Sequence, residues 1–473
     1  MVFSSSLFLL YVLPAFLLVY ALTPRQGKNL VILLFSILFY SWGAPKFVFV
    51  ILGSTMLDFY LVQTMHRSTQ DRTRKLLLGT SLAMNVGLLL YFKYANFFVD
   101  NVHAMMAAVG MEPFAWTKVL LPIGISFYTF QTLTYAIDVY RKVHDPLDKL
   151  TDYLLYIMSF PQMIAGPIVR FNTIADQILY RESKVENFLI GCYRFCIGLG
   201  KKVLIANVMG EQADLIMNGD LTQLDAGMAW LGILAYTFQI YFDFSGYSDM
   251  AIGLGRMMGF TFPENFHFPY ISRNISEFWR RWHITLGDFM RDYLYIPLGG
   301  NRSKTTVRRY ANLWIVFLIS GLWHGSSWNF VLWGAFHGCF LILDRLFLVK
   351  LLDRFGHIPS VLFTFLVTMI GWVIFRLESL SEIGLYLGSL ADISSFQMPN
   401  VLPGFYPILA VAALFSFLPL SRLGENWANI AFFRDRYRPI SHLGWTLISL
   451  CLLVLSIAYI ASSDFNPFIY FRF

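Results

Sequence analysis

Histidine is the side chain whose ordinary pKa, about 6.5, best suits proton transfer near neutral pH. One histidine of this chain stands in an unusual setting. His324 falls inside the thirty-four residues from Tyr310 to Leu343, which hold no Asp, Glu, Lys or Arg. An ionisable side chain in so apolar a run is a functional-site candidate by default, the plain alternative being a buried histidine bonded to a carbonyl. A second histidine, His283, lies in a charged segment, and a third, His337, is read as a structural hydrogen bonder. Asp243 and Asp249 sit in another apolar run, where carboxylates are costly enough to demand partners. Pairing with a basic residue is the expected reading for both, with a donor-site role as the alternative. The chain has no GxSxG elbow, P-loop or HExxH, so serine-hydrolase, nucleotide and zinc-protease chemistry lack support. The four cysteines show no CxxC or Cys/His ligand spacing, which removes a disulfide scaffold and a structural zinc site.

Charge is concentrated between Pro263 and Arg309, with eight basic residues against four acidic ones. Within it, Asn274-Ile275-Ser276-Glu277 has the form of a capping box. Ile275, Phe278, Trp279, Trp282, Leu286 and Phe289 then recur at helical spacing, which predicts one amphipathic helix with Arg280, Arg281 and His283 on its polar face. Such a helix can rest on anionic membrane lipid. It can also grip a polyanionic acyl donor, coenzyme A or a phosphopantetheine carrier.

These residues need a scaffold, and the composition says which kind. At 473 residues, 57% hydrophobic and 14% charged, the chain reads as a polytopic membrane protein. The net charge of +7 is carried by short loops between apolar spans, so membrane orientation explains it better than nucleic acid. An unbroken helix over Tyr310–Leu343 would be about 50 Å long, and the hydrocarbon core is about 30 Å thick. The segment must therefore turn back, and Gly321 to Ser327 is the natural place. The run Ser6–Leu22 lacks a basic n-region and is not a cleavable signal peptide. Spans are expected near 29–43, 47–64, 77–98, 118–138, 360–375, 402–420 and 443–461. A re-entrant segment is expected over 151–170, a tilted or interfacial helix over 186–206, and a long run over 226–255 broken at Tyr241–Asp249. The loop at 65–76 is basic and that at 99–117 is not, so the positive-inside rule puts the first in the cytoplasm and both termini outside it. About eleven crossings follow. Gly255 and Gly259 are read as sites of close helix packing.

Four stretches, YFDFSGYSDMAIGLGRMMGF (241–260), ENFHFPYISRNISEFWRRWHITLGDFMRDYLYIPLGGNR (264–302), LWHGSSWNFVLWGAFHG (322–338) and NPFIYFRF (466–473), resemble the membrane-bound O-acyltransferase family. LPIGISFYTFQTLTYAIDVYR (121–141) and FPQMIAGPIVR (160–170) extend the likeness over nearly the whole chain, closest to the bacterial branch that acetylates exopolysaccharides. The resemblance implies an all-α polytopic membrane protein, a single domain over 1–473 with N-terminal helices (1–150), a catalytic core (151–345) and C-terminal helices (346–473) around a central tunnel. It implies an O-acetyltransferase of the bacterial cytoplasmic membrane, with an acetyl-CoA or acyl-carrier thioester as donor and no permanently bound cofactor. The partners it implies are a periplasmic SGNH-type acetyl-accepting protein, a polysaccharide as final acceptor and membrane lipid, not nucleic acid. The family's functional histidine matches His324, and a second matches His283. Trp323, Ser327, Trp328 and Asn329 would then line an acyl passage or donate to an oxyanion, with Trp279, Arg280, Arg281, Trp282 and Asp243 on the donor side. D-alanyl transfer to teichoic acid and a non-enzymatic transporter are the alternatives.

Overall fold

The computed structural model describes residues 2–182, 184–434, 436–463 and 465–469. Among them every regular element is a helix, and the one extended pairing is an isolated bridge between Phe266 and Trp282. Residues 470–473 of the C-terminal motif lie outside the described residues. The chain divides into two compact units, Met1–Glu182 with Phe260–Phe262, and Ser183–Gly259 with Pro263–Phe473.

The first unit holds α1 (Phe8–Leu22), α2 (Lys28–Gly43), α3 (Phe47–Arg67), α4 (Asp71–Ala108), α5 (Ile125–Tyr140), α6 (Leu150–Met158), α7 (Phe160–Met163) and α8 (Phe171–Leu179). The expected spans at 29–43, 47–64 and 77–98 fall within α2, α3 and α4. The expected loop at 65–76 is corrected: Arg72, Arg74 and Lys75 are already helical. At 38 residues α4 also takes up half of the loop expected at 99–117, where Ala and Met favour helix. The span expected from 118 begins only at Ile125, because Pro122 and a left-handed Gly124 (φ 76°) block an earlier start. Residues 151–170 are broken as expected, with all but Thr151 and Arg170 buried. Asp58 ties three helices together, its carboxylate accepting from Ser81 Oγ at 2.5 Å, Asn85 Nδ2 at 2.9 Å and Tyr153 Oη at 2.5 Å.

The second unit is built on α9 (Val185–Gly200), which continues through a π-helical turn into α10 (Asn207–Met217), and on α11 (Ala226–Met257). A Cβ on Gly198 would stand 2.5 Å from Gly246 O, so small residues on both sides let α9 and α11 touch backbone to backbone. The cations of the helix expected at 186–206 to be tilted or interfacial are held in ion pairs. Arg194 lies 2.7 Å from Asp249 and 2.6 Å from Glu264, Lys201 lies 2.7 Å from Asp249, and Lys202 lies 3.1 Å from Asp243. The break expected at Tyr241–Asp249 is corrected for the same reason. With both carboxylates satisfied by α9, α11 runs unbroken. Gly259 follows the end of that helix with φ 87°. The close-packing positions are Gly191, Gly198, Gly246 and Gly253.

Among the described residues, four helices are long and apolar enough to cross a membrane: α3, α4, His357–Arg376 and Pro439–Ser462. A fifth arises if Phe405–Leu420 and Arg422–Phe432, bent by 103°, count as one span.

Candidate functional site

The apolar run around His324 folds as the length argument requires. The next helices after α11 are α12 (Ile275–Arg281), α13 (Ile284–Phe289), α14 (Thr306–His324) and α15 (Trp328–Leu343). Thr305 Oγ1 caps α14 by accepting from Arg308 N–H. The chain leaves the helix at Gly325 in an extended conformation and returns as α15 against α14. Gly321 and Gly334 have no room for a side chain, since a Cβ on either would strike the backbone at Phe330 or Phe317 of the opposing helix. His324 is the last residue of α14, buried at the tip of this hairpin.

Aromatic rings surround it. The His324 ring lies 4.9 Å from Trp323, 5.1 Å from Trp333 and 5.3 Å from Phe375, centroid to centroid. After α16 (Val349–Phe355) comes α17 (His357–Arg376), which carries Phe375 and closes the cavity. A cavity of about 20 Å³ opens beside His324, walled by Phe244, Trp282, Trp333, Trp372, Phe375 and Ile469 among others. That is room for about one water, so larger groups enter only if rings shift.

His283 packs on Phe244, which walls this cavity, and is not where the sequence reading put it. The single amphipathic helix expected from Ile275 is corrected to two, α12 and α13, because His283 between them takes a left-handed conformation (φ 45°, ψ 52°). Asn274 does cap α12, accepting from Glu277 N–H at 2.8 Å, while Glu277 reaches back to Arg273 N–H rather than to the cap residue. His283 is therefore not on the polar face with Arg280 and Arg281: it is 1% exposed, and burial holds its imidazole below the ordinary histidine pKa. Its ring packs edge-on to Phe244 at 4.8 Å and 6.1 Å from Trp323, which in turn touches His324.

The remaining candidates divide. Trp323 and Trp282 join the two histidines and their cavity. Trp279 donates through Nε1 to His337 Nδ1 at 3.3 Å and packs on Trp333, which gives His337 the structural bond expected of it. Asn329 donates to the carbonyls of Ile374 and Phe375 and accepts from Ser327 Oγ, so both residues brace the hairpin against α17. Trp328 is exposed and away from the cavity, because it opens α15 on its outer side. Arg281 is paired with Glu277 at 2.9 Å, and Arg280 is exposed. Asp243 serves structure: besides Lys202, it accepts from Ile469 N–H at 2.7 Å.

Two parts of the site escaped the sequence reading. The tail segment 465–469 threads into the second unit, with Lys202 bound to the carbonyl of Pro467 and Phe468 stacked on Tyr247 at 4.6 Å, so that Ile469 walls the cavity. Its apolar residues carried no signal beyond the motif. Asn265 bonds His283 from eighteen residues upstream, a distance no local periodicity reveals.

Comparison with known proteins agrees with this architecture. Residues 77–381 match the model of the MBOAT, membrane-bound O-acyltransferase family. The chain is 42% identical to a probable alginate O-acetylase, AlgI, of Pseudomonas putida, over 100% of both chains. It is 46% identical to the AlgI protein of Pseudomonas aeruginosa, over 80% of this chain and 73% of that one. It is 35% identical to a peptidoglycan O-acetyltransferase of Helicobacter pylori, over 81% and 78%. A helical protein with several membrane-crossing helices, a family match over most of its length and relatives that are acyltransferases by name is itself a multi-pass membrane acyltransferase, and the chain belongs to the membrane-bound O-acyltransferase family.

Proposed function

We propose that this enzyme moves acetyl groups from a cytoplasmic thioester to an extracytoplasmic polysaccharide, with His324 as general base. The observation that carries the reading is the position of His324: buried at a hairpin tip, ringed by aromatics, in a cavity that excludes bulk water. In the proposed step the imidazole takes the proton of an acceptor hydroxyl, and the oxygen attacks the thioester carbonyl. The C–S bond then breaks, and the imidazolium returns the proton to the departing thiolate. Acetyl-CoA or an acyl carrier protein supplies the thioester. Arg280 and Arg281 attract its phosphates, and no permanent cofactor is required. The acceptor is alginate, cellulose or peptidoglycan, reached directly or through an SGNH-type periplasmic partner. The names of the three relatives support O-acetylation and favour it over D-alanyl transfer. The fuller topology goes with this reading: about eleven crossings around a tunnel in the bacterial inner membrane, both termini outside the cytoplasm.

The test is His324→Ala and His324→Gln, expressed in cells whose polymer is then analysed by NMR. Membrane insertion and yield should match the wild type, while polymer acetylation disappears. Normal acetyl content in either variant would refute the role of His324.

A further inference from the structure

His283 adopts a backbone conformation that side-chain-bearing residues rarely take, kept only where the surroundings over-determine it. Asn265 supplies much of that determination. Its backbone carbonyl accepts from Ile284 N–H at 3.0 Å. Its Oδ1 accepts from Thr285 Oγ1 at 2.8 Å and Thr285 N–H at 3.4 Å, and lies 3.0 Å from His283 Nδ1. Its Nδ2 donates to Ser248 Oγ on α11 at 3.1 Å. The amide orientation is fixed by chemistry: a backbone N–H only donates, so the atom facing Thr285 N must be the oxygen. An oxygen that only accepts requires His283 Nδ1 to carry its proton. In the neutral ring Nε2 then keeps its lone pair, and it has no hydrogen-bond partner among the described residues.

We infer that Asn265 is a positioning residue for acyl transfer: it selects the Nδ1–H form of His283, so that Nε2 receives a hydrogen bond from a substrate O–H or N–H. The inference rests on the reading that chemistry occurs at His324, beside which Phe244 and Trp323 place the His283 ring. In this form His283 cannot protonate the departing thiolate through Nε2. The thiolate's proton therefore comes from His324, which took it from the hydroxyl.

Two variants and one spectrum test it. Asn265→Leu removes the acceptor, so kcat should fall about 100-fold or more, with donor KM within about threefold of wild type. Asn265→Asp keeps an acceptor but places a carboxylate beside the imidazole, which favours imidazolium and raises its pKa. The form with a bare Nε2 then exists only at higher pH, so the acid limb of kcat should move up by about one unit or more. A residue that merely braced the loop would not move that limb. Histidine 15N spectra of purified wild-type protein, with His283→Gln for assignment, should show the Nδ1–H tautomer. Should Asn265→Leu fail to fold, the spectrum and the Asp variant still decide. An Nε2–H tautomer in the wild type overturns the inference, as does an unmoved acid limb in Asn265→Asp while His324→Ala is inactive. An active His324→Ala variant overturns the underlying reading instead.

Discussion

Asp243→Ala should be among the most damaging substitutions in the second unit, and the structure sets its size. The Asp243 side chain is 2% exposed and its partner Lys202 is 3% exposed, 3.1 Å apart. Removing one member of a buried pair strands the other charge, at a cost of about 3–5 kcal/mol. Losing the acceptor for Ile469 N–H adds about 1–3 kcal/mol if that group stays buried. On a scale of about 2–4 °C per kcal/mol, the midpoint of thermal unfolding in detergent should fall by roughly 10 °C or more. Asp243→Asn keeps an acceptor for the tail and should lose less, because Lys202 still donates to Asn207 and to the Pro467 carbonyl. Cutting the chain after Ser463 removes the tail from the same network. Combined with Asp243→Ala it should therefore cost less than the sum of the two, by about 1 kcal/mol or more. Additive effects, or an Asp243→Ala penalty under about 1 kcal/mol, would refute the coupled network of charge and tail.

Gly198→Ala should force α9 from α11 and cost about 1–3 kcal/mol of stability, read as a lowered unfolding midpoint, since the added Cβ meets backbone that cannot yield locally. Replacing both Arg280 and Arg281 with Gln should weaken acetyl-CoA or carrier binding more than replacing Lys304 and Arg308, and the difference should fade with added salt. A cysteine introduced at position 110 should react with an impermeant reagent in intact cells, and one at 70 should not; the reverse pattern would place the basic loops outside.

What the sequence made legible follows the range of each signal. Apolar length alone required the Tyr310–Leu343 run to reverse, and it does so within three residues of His324. The pairing of Asp243 and Asp249 with basic residues was equally forced, because unpaired charge in an apolar run is too costly. That same pairing hid one feature. Once Asp243 and Asp249 are satisfied by Lys201, Lys202 and Arg194, α11 has no reason to break. The kink at His283 was invisible because Ile275–Phe289 keeps helical spacing through it. The kink is held by Asn265, itself anchored to Ser248 of α11, contacts that only the tertiary fold supplies.

The geometry of α12 also bears on how a donor reaches His324. Ser276 N–H and Oγ both donate to Asp344, just past the end of α15. Three residues on, Trp279 bonds His337, and three further, Trp282 lines the His324 cavity with Trp333. Successive turns of α12 thus climb α15 in the antiparallel sense, from its charged end to the hairpin tip. α14 covers 19 residues, a rise of about 28 Å, close to the hydrocarbon thickness of about 30 Å. His324 stands about 23 Å along this helix from Arg308 and Arg309. Asn329 pins that tip to the far end of α17, whose 20 residues span a similar height. On the proposed function, a thioester would meet Arg280 and Arg281 within one turn of Trp282, which lines the His324 cavity.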